Sequence, residues 1–366
     1  MKAIDLSKFT KSVMKSVPNV SFGFKDPKYW ISTGNFALNF RVSGDFFKGF
    51  PLDNKLILLA GESGSGKSYV ASGNVVKWCQ DNNILPVIID TENALDEEWM
   101  RNFGIKTDEF IIKVSMSLLD NIAKFMSEFL EQYKETYKDV EYEEKQPVLF
   151  IIDSLGMTTT PLDVEQFDKG DMRGSMGQKQ KQIYSICRNF LGSCSNEPIG
   201  MICTQHTYAS QSIFQPEDVI AGGTGTIYAS SVVIAMQKAK LKEDENGNKT
   251  TDVKGIKVNA VVRKTRYTQP FQKVSFTIPW DTGMNPYSGL FELFSENLKA
   301  NDEFILTKTG NQYTYKNPNN GEEVFKKFRK NITNQDYDTM MMDYKLWFDK
   351  NNTSEKFEEL DESEEE

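Results

Sequence analysis

Residues 61–68 read Gly61-Glu62-Ser63-Gly64-Ser65-Gly66-Lys67-Ser68, between the apolar run KLILLA and VASGNVVKWCQ, a stretch compatible with a helix. A strand, a glycine-rich loop of this spacing and a helix make one unit. Its glycines let backbone N–H groups turn inward around phosphate oxygens. Lys67 then brings a point charge to the β- and γ-phosphates of ATP, and Ser68 brings a hydroxyl to Mg²⁺. Such a loop belongs to a sheet with crossover helices, so it constrains the fold as tightly as the ligand.

The neighbouring sequence agrees. Residues 86–90, 110–114, 148–153 and 198–203 are short continuous apolar runs, as expected of strands covered on both faces. Leu118, Ile122, Phe125, Phe129 and Tyr133 recur at helical spacing, with Ser117 placed to cap that helix. Residues 232–236, 256–263 and 273–279 read as later strands. The expected fold is α/β, with a mainly parallel central sheet and helices on both faces. We divide the chain into an N-terminal helix and linker (1–30), an ATPase core (31–295), a small C-terminal region (296–350) and an acidic tail (351–366). The stripe Leu6, Phe9, Val13 and Val17, ended by Pro18, packs either on its own core or on a neighbouring subunit.

Two strands end in carboxylates. Asp153 closes VLFIID, at the sheet edge where an acid reaches a Mg²⁺ shell. Asp90 closes PVIID, and Glu92 follows one residue later. The spacing predicts that both acids point to one side of the turn, with Glu92 placed to hold an attacking water.

Charge and cysteine usage narrow the setting. The net charge is −9, but residues 354–366 hold eight acids and one lysine, so the rest of the chain sums to −2. Residues 253–280 carry six cations and no acid, and 169–188 carry five cations against Asp171 alone. Positive charge this local suits an anionic partner. Four cysteines without CxxC spacing and a single histidine argue against structural zinc and for reduced thiols in the cytoplasm. No apolar run approaches the roughly 18 residues of a membrane span.

Several stretches together resemble the RecA family, most closely its phage-encoded recombinases of the UvsX type. They are GESGSGKS, DTENALD, FIIDSLG, CTQHTY, AGGTGTIYASSVV, VVRKTRYTQPF and DTGMNPYSGL, within roughly residues 30–295. The resemblance implies a catalytic role for Glu92. It places Asp96 and Trp99 at the adenine, completing a nucleotide set of residues 61–68, Tyr69 and Asp153. It places His206 between the γ-phosphate and DNA, and gives Lys264 and Arg266 to the ATP of an adjacent subunit, as an arginine finger would act. Residues 163–178 and 207–226 match the family's two DNA-binding loops. Within them and just beyond, Arg173, Lys179 and Lys181 supply charge, Phe214 an apolar wedge, and Gly222, Gly223, Thr224 and Gly225 backbone donors, a mix suited to single strands.

The expected activity is therefore DNA-dependent ATP hydrolysis by a filament on single-stranded DNA, which pairs it with a homologous duplex and exchanges strands. Expected partners are a single-stranded-DNA-binding protein and a loading mediator, in the host cytoplasm of a phage. A hexameric helicase or other ring ATPase, and a nucleotide-gated single-strand coating protein, are the alternatives.

Overall fold

The computed structural model of the chain describes residues 26–170, 177–209, 218–242 and 251–351. The expected N-terminal helix and the acidic run lie outside these residues.

An eight-stranded sheet organises the molecule. Its strands are β1 (Leu56–Gly61), β2 (Leu85–Asp90), β3 (Ile112–Ser115), β4 (Val148–Asp153), β5 (Ile199–Gln205), β6 (Val232–Leu241), β7 (Gly255–Lys264) and β8 (Gln272–Pro279). Their spatial order is β8-β7-β6-β1-β5-β4-β2-β3. Six strands from β6 to β3 run parallel, and β7 and β8 extend the sheet as an antiparallel ribbon. Every expected strand is present. Only β6 is much longer than its apolar run. Residues Gln237–Lys240 are exposed and held by pairing with β7, so hydropathy does not reveal them.

The helices include α1 (Phe36–Ser43), α2 (Val75–Asp81), α3 (Glu97–Asn102), α4 (Leu119–Thr136), α5 (Pro161–Asp168), α6 (Gln178–Ser193), α7 (Thr224–Ala229) and α8 (Asn334–Asn351). One sheet face buries Leu58, Ile89, Phe150 and Cys203 under α4 and α6. The other buries Ile57, Leu59, Ile88 and Ile151 under α1 and α2. All four cysteines are buried and free. Two-sided burial is what makes the parallel strands continuous apolar runs.

The α4 stripe is shifted from the expected one. Leu119, Ile122, Met126, Leu130 and Tyr133 are buried, while Phe125 and Phe129 flank them. Ser117 does not cap: Leu118 is the N-cap residue, without a side-chain bond. The backbone at 117–118 is drawn into a bridge with Thr159, whose N–H donates to the Ser117 carbonyl at 2.8 Å.

Beyond residue 296, β9 (Leu306–Thr309), β10 (Gln312–Lys316) and β11 (Glu323–Lys327) form an antiparallel sheet before α8. Tyr315, Met340, Met341 and Tyr344 join the cluster that contains Phe46 and Phe294. Lys345 reaches Asp45 at 2.9 Å. This region thus packs on the α1 side of the sheet.

Candidate nucleotide-binding site

The phosphate loop leaves β1 at Gly61, where β6 lies against it. A Cβ there would sit 2.2 Å from the Met236 carbonyl oxygen, so only glycine permits the strand contact. Gly64 and Gly66 take positive φ, and Ser65 is buried with its hydroxyl unpartnered. Lys67 is 6% exposed and donates to the carbonyls of Gly61 (3.0 Å) and Glu62 (2.8 Å). Burial pulls its pKa below the ordinary lysine value, against the opposing carboxylates of Asp153, Glu92 and Glu62. An inward ammonium, an orphaned hydroxyl and a glycine turn fit a phosphate chain. After the loop the backbone winds as a π-helix (Tyr69–Asn74) before α2, and Ser68 makes no side-chain capping bond.

Asp153, 6% exposed, accepts from Ser72 Oγ (2.8 Å) and Thr204 Oγ1 (2.6 Å). These two hydroxyls hold its carboxylate in place beside the loop. Among the described residues no three His, Cys, Asp or Glu side chains gather as a metal site. Ser68 and Asp153 are the groups beside the loop that could hold Mg²⁺ together with phosphate oxygens.

The acids of the β2 turn do not act together as the spacing predicts. Asp90 is 1% exposed, accepts from the N–H groups of Ala94 (3.3 Å) and Leu95 (3.1 Å), and pairs with Lys113. It shapes the turn. Glu92 faces the site instead: its Oε1 accepts from Ser154 Oγ at 2.8 Å and lies 3.5 Å from His206 Nε2. Thr91 fixes Ser154 by donating to its carbonyl (2.7 Å) and accepting from its N–H (2.8 Å).

His206 follows β5 and touches both neighbouring segments. A Cβ at Gly156 would lie 2.5 Å from its ring carbon Cδ2. Its carbonyl accepts from Ala221 N–H at 2.9 Å, where Thr207–Tyr208 pairs with Val219–Ile220. Both described ends of the second expected loop are therefore tied beside His206.

On the other flank of the phosphate loop, Asp96 caps α3, accepting from Trp99 N–H at 2.7 Å. Trp99 packs 4.8 Å from Phe103, which lies 4.6 Å from Tyr69. The Tyr69 hydroxyl accepts from Met284 N–H at 3.0 Å. The result is an aromatic wall of Trp99, Phe103 and Tyr69.

Lys264 and Arg266 are not at this site. Lys264 pairs with Val233, which pairs with Leu58 near the start of β1. It donates to the carbonyls of Ile227 and Tyr228, both at 2.9 Å, at the end of α7. Burial and the neighbouring Arg266 charge lower its pKa. Arg266 is exposed and electrostatically coupled to Lys55, just before β1. Both cations thus stand at the sheet edge opposite the phosphate loop.

The expected DNA-contacting residues divide. Residues 163–168 are helix, not loop, because Thr160 and Asp163 form a capping box at the start of α5. Lys179 is half-buried and donates to the Gly156 carbonyl at 2.6 Å, while Lys181 is exposed. Gly222 lies against Gln205, and Gly223 and Thr224 are exposed where α7 begins. Gly225 packs on Tyr184, where a Cβ would come within 2.9 Å of the ring. Arg173 and Phe214 lie outside the described residues. Lys257 and Lys273 of the basic stretch join Lys240, Arg329 and Lys330 around a cleft of about 1420 Å³ beside β8.

Sequence reasoning missed Ser72, Ser154, Thr204 and Lys238. Ser72 lies four residues beyond Ser68, Ser154 directly follows Asp153, and Thr204 is a polar residue closing an apolar strand. Those three positions carry a signal. Lys238, which donates to the Ser63 carbonyl, carries none.

The sequence matches the RecA N-terminal domain family over residues 8–285. It is similar to the "Recombination and repair protein" of Enterobacteria phage T4, 26% identical over 260 residues, 71% of this chain and 61% of that protein. The match therefore spans less than two thirds of the phage relative. "Protein RecA" of Corynebacterium efficiens is 23% identical over 300 residues, 81% of this chain and 69% of its own length. "Protein RecA" of Leptospira biflexa is 24% identical over 297 residues, 80% and 67%. Among the described residues no helix is long and apolar enough to cross a membrane.

Proposed function

The chain belongs to the RecA family, and from that premise we propose that it is an ATP-dependent DNA recombinase. It assembles as a helical filament on single-stranded DNA and pairs that strand with a homologous duplex. The observation that carries this reading is that Lys264 and Arg266 stand at the opposite ends of the strands from the phosphate loop. A second copy of the chain must bring its cations to this copy's ATP, so the active unit is an assembly.

In this reading the loop 61–68 and Lys67 hold the triphosphate, and Tyr69, Asp96 and Trp99 take the base. Ser68 and Asp153 would hold Mg²⁺, which neutralises phosphate charge when bound. Ser154 fixes one oxygen of Glu92, and the carboxylate orients water toward the γ-phosphate. His206, beside Glu92 and tied to the segment 207–221, links nucleotide state to DNA. Lys181, Arg173, Phe214 and residues 222–225 contribute the DNA contact. Lys179 joins them only after releasing the Gly156 carbonyl. Domain roles follow the divisions at about 30, 296 and 351, with the N-terminal stripe docking on a neighbouring subunit. A single-stranded-DNA-binding protein and a loading mediator are the proposed partners, in host cytoplasm.

Electron microscopy with single-stranded DNA and a non-hydrolysable ATP analogue tests this. Continuous helical filaments are expected. Closed rings would instead indicate a helicase, and nucleotide-independent beads a coating protein.

A further inference from the structure

Strand β6 overshoots its neighbour. Its last partner on β1 is Gly61, opposite Met236, yet it continues to Leu241 paired only with β7. Residues alternate faces along a strand, so Lys238 shares the face of Met236 and stands beside the loop leaving β1. It donates to the Ser63 carbonyl, and its ammonium lies 4.0 Å from Glu62 Oε2. A Cβ at Gly64 would approach Lys238 Nζ to 3.2 Å. The lysine therefore lies across the crest of the phosphate loop.

The charges around the loop make this position consequential. Asp153, Glu92 and Glu62 face the Lys67 ammonium, and Lys238 is the other cation in that group. Two cations against three carboxylates leave the site at −1 before any polyanion enters. Without Lys238 it would stand at −2. Glu62 is the most exposed of the three, its side chain 50% exposed against 36% for Glu92, and no other cation is paired with it among the described ion pairs.

We propose that Lys238 is a positioning residue for the terminal phosphate. It neutralises Glu62 and holds the Ser63 carbonyl away from the phosphate path, so that the loop accepts a triphosphate. This rests on reading residues 61–68 as a nucleotide site. The effect grows with ligand charge, so it favours a triphosphate over a diphosphate. Lys238 is a separate group from Lys67, which points inward from the loop itself.

The test compares Lys238→Met, Lys238→Arg and the double variant Lys238→Met with Glu62→Gln, in the full-length chain. Affinities for ADP and for a non-hydrolysable ATP analogue are measured with Mg²⁺, alongside the melting temperature and KM and kcat for hydrolysis. For Lys238→Met we expect analogue affinity to fall about tenfold and ADP affinity less than about threefold, the scale of one partly screened charge. KM rises while kcat and the melting temperature hold. Lys238→Arg restores the analogue affinity, and Glu62→Gln recovers part of it by removing the unpaired carboxylate. Equal losses for both nucleotides, an unchanged affinity, or no recovery in the double variant would overturn the assignment. Failure of the wild-type chain to bind either nucleotide would sink the phosphate-loop reading itself, a different result from wild-type binding that Lys238→Met leaves intact.

Discussion

Glu92→Gln separates water orientation from everything else Glu92 does. In the structure Glu92 contributes one accepted hydrogen bond, from Ser154 Oγ at 2.8 Å, and a carboxylate 3.5 Å from His206 Nε2. The glutamine carbonyl can accept the same bond, worth about 1 kcal/mol, so stability should change by less than that. The side chain is 36% exposed, which limits any packing cost. Under the proposed function, what disappears is the negative charge that orients water. General-base contributions of this kind are typically ~10²–10⁴-fold in rate, about 3–5 kcal/mol. ATP binding should survive and tighten slightly, because a carboxylate facing Lys67 and the phosphates is gone. The assay is single-turnover ATP hydrolysis on single-stranded DNA, with nucleotide affinity and melting temperature measured in parallel. Under the proposed function, filaments that disassemble on hydrolysis should persist longer. A turnover within about threefold of wild type, a loss far smaller than the ~10²-fold or more expected on removing a general base, would refute the assignment of Glu92.

Arg266→Ala and Lys264→Ala should each leave nucleotide binding intact and abolish DNA-stimulated hydrolysis. Mixing Arg266→Ala with Lys67→Ala should restore activity at interfaces joining an intact finger to an intact loop, and strict absence of recovery with co-assembly confirmed would count against action in trans. Gly156→Ala places a methyl 2.5 Å from the His206 ring and 2.9 Å from Gln205 Oε1. Since His206 must move, DNA stimulation of hydrolysis should fall about tenfold or more while ATP affinity stays, the scale of a misplaced site group; a wild-type response would show that His206 does not couple the two ligands. Deleting residues 354–366, which carry −7, should tighten duplex binding most at low salt, the outcome expected of a tail that competes for the cleft lined by Lys240, Lys257, Lys273, Arg329 and Lys330. Salt curves that coincide for both chains would leave the tail without that role.

The sheet was legible because burial on both faces writes each parallel strand as an unbroken apolar run. Residues 148–153 and 86–90 could hardly be anything else once the loop at 61–68 fixed a crossover unit. The tail of β6 was not legible, since Gln237–Lys240 are exposed and owe their strand geometry to β7. That same stretch hides Lys238. The acids of the β2 turn show a second limit. A spacing of two does not say which carboxylate satisfies backbone donors, and Asp90 does so while Glu92 faces the site. Ser117 fails as a cap for a related reason: its backbone is claimed by Thr159, a partner 42 positions away that local patterning does not report.

The cations show how position along a strand becomes assembly. β7 runs antiparallel to β6, so its end lies level with the beginnings of the parallel strands. Phosphate loops leave parallel strands at their ends. A cation placed after β7 is therefore carried away from its own nucleotide by topology alone, whatever its rotamer. Within one copy Lys264 satisfies carbonyls of Ile227 and Tyr228 at the end of α7, the helix that begins with Thr224 and Gly225. Under the proposed function Lys264 turns instead to the phosphate of a neighbouring copy, and those carbonyls then lose their donor and α7 its brace. α7 packs on Tyr184 of α6 through Gly225, and Gly222 just before it lies against Gln205, adjacent to His206. Under the proposed function, the contact that completes one copy's active site thus loosens the segment that meets DNA in the next. A monomer has both ends of this chain of contacts but cannot use them together, which is why assembly and activity should appear at the same protein concentration.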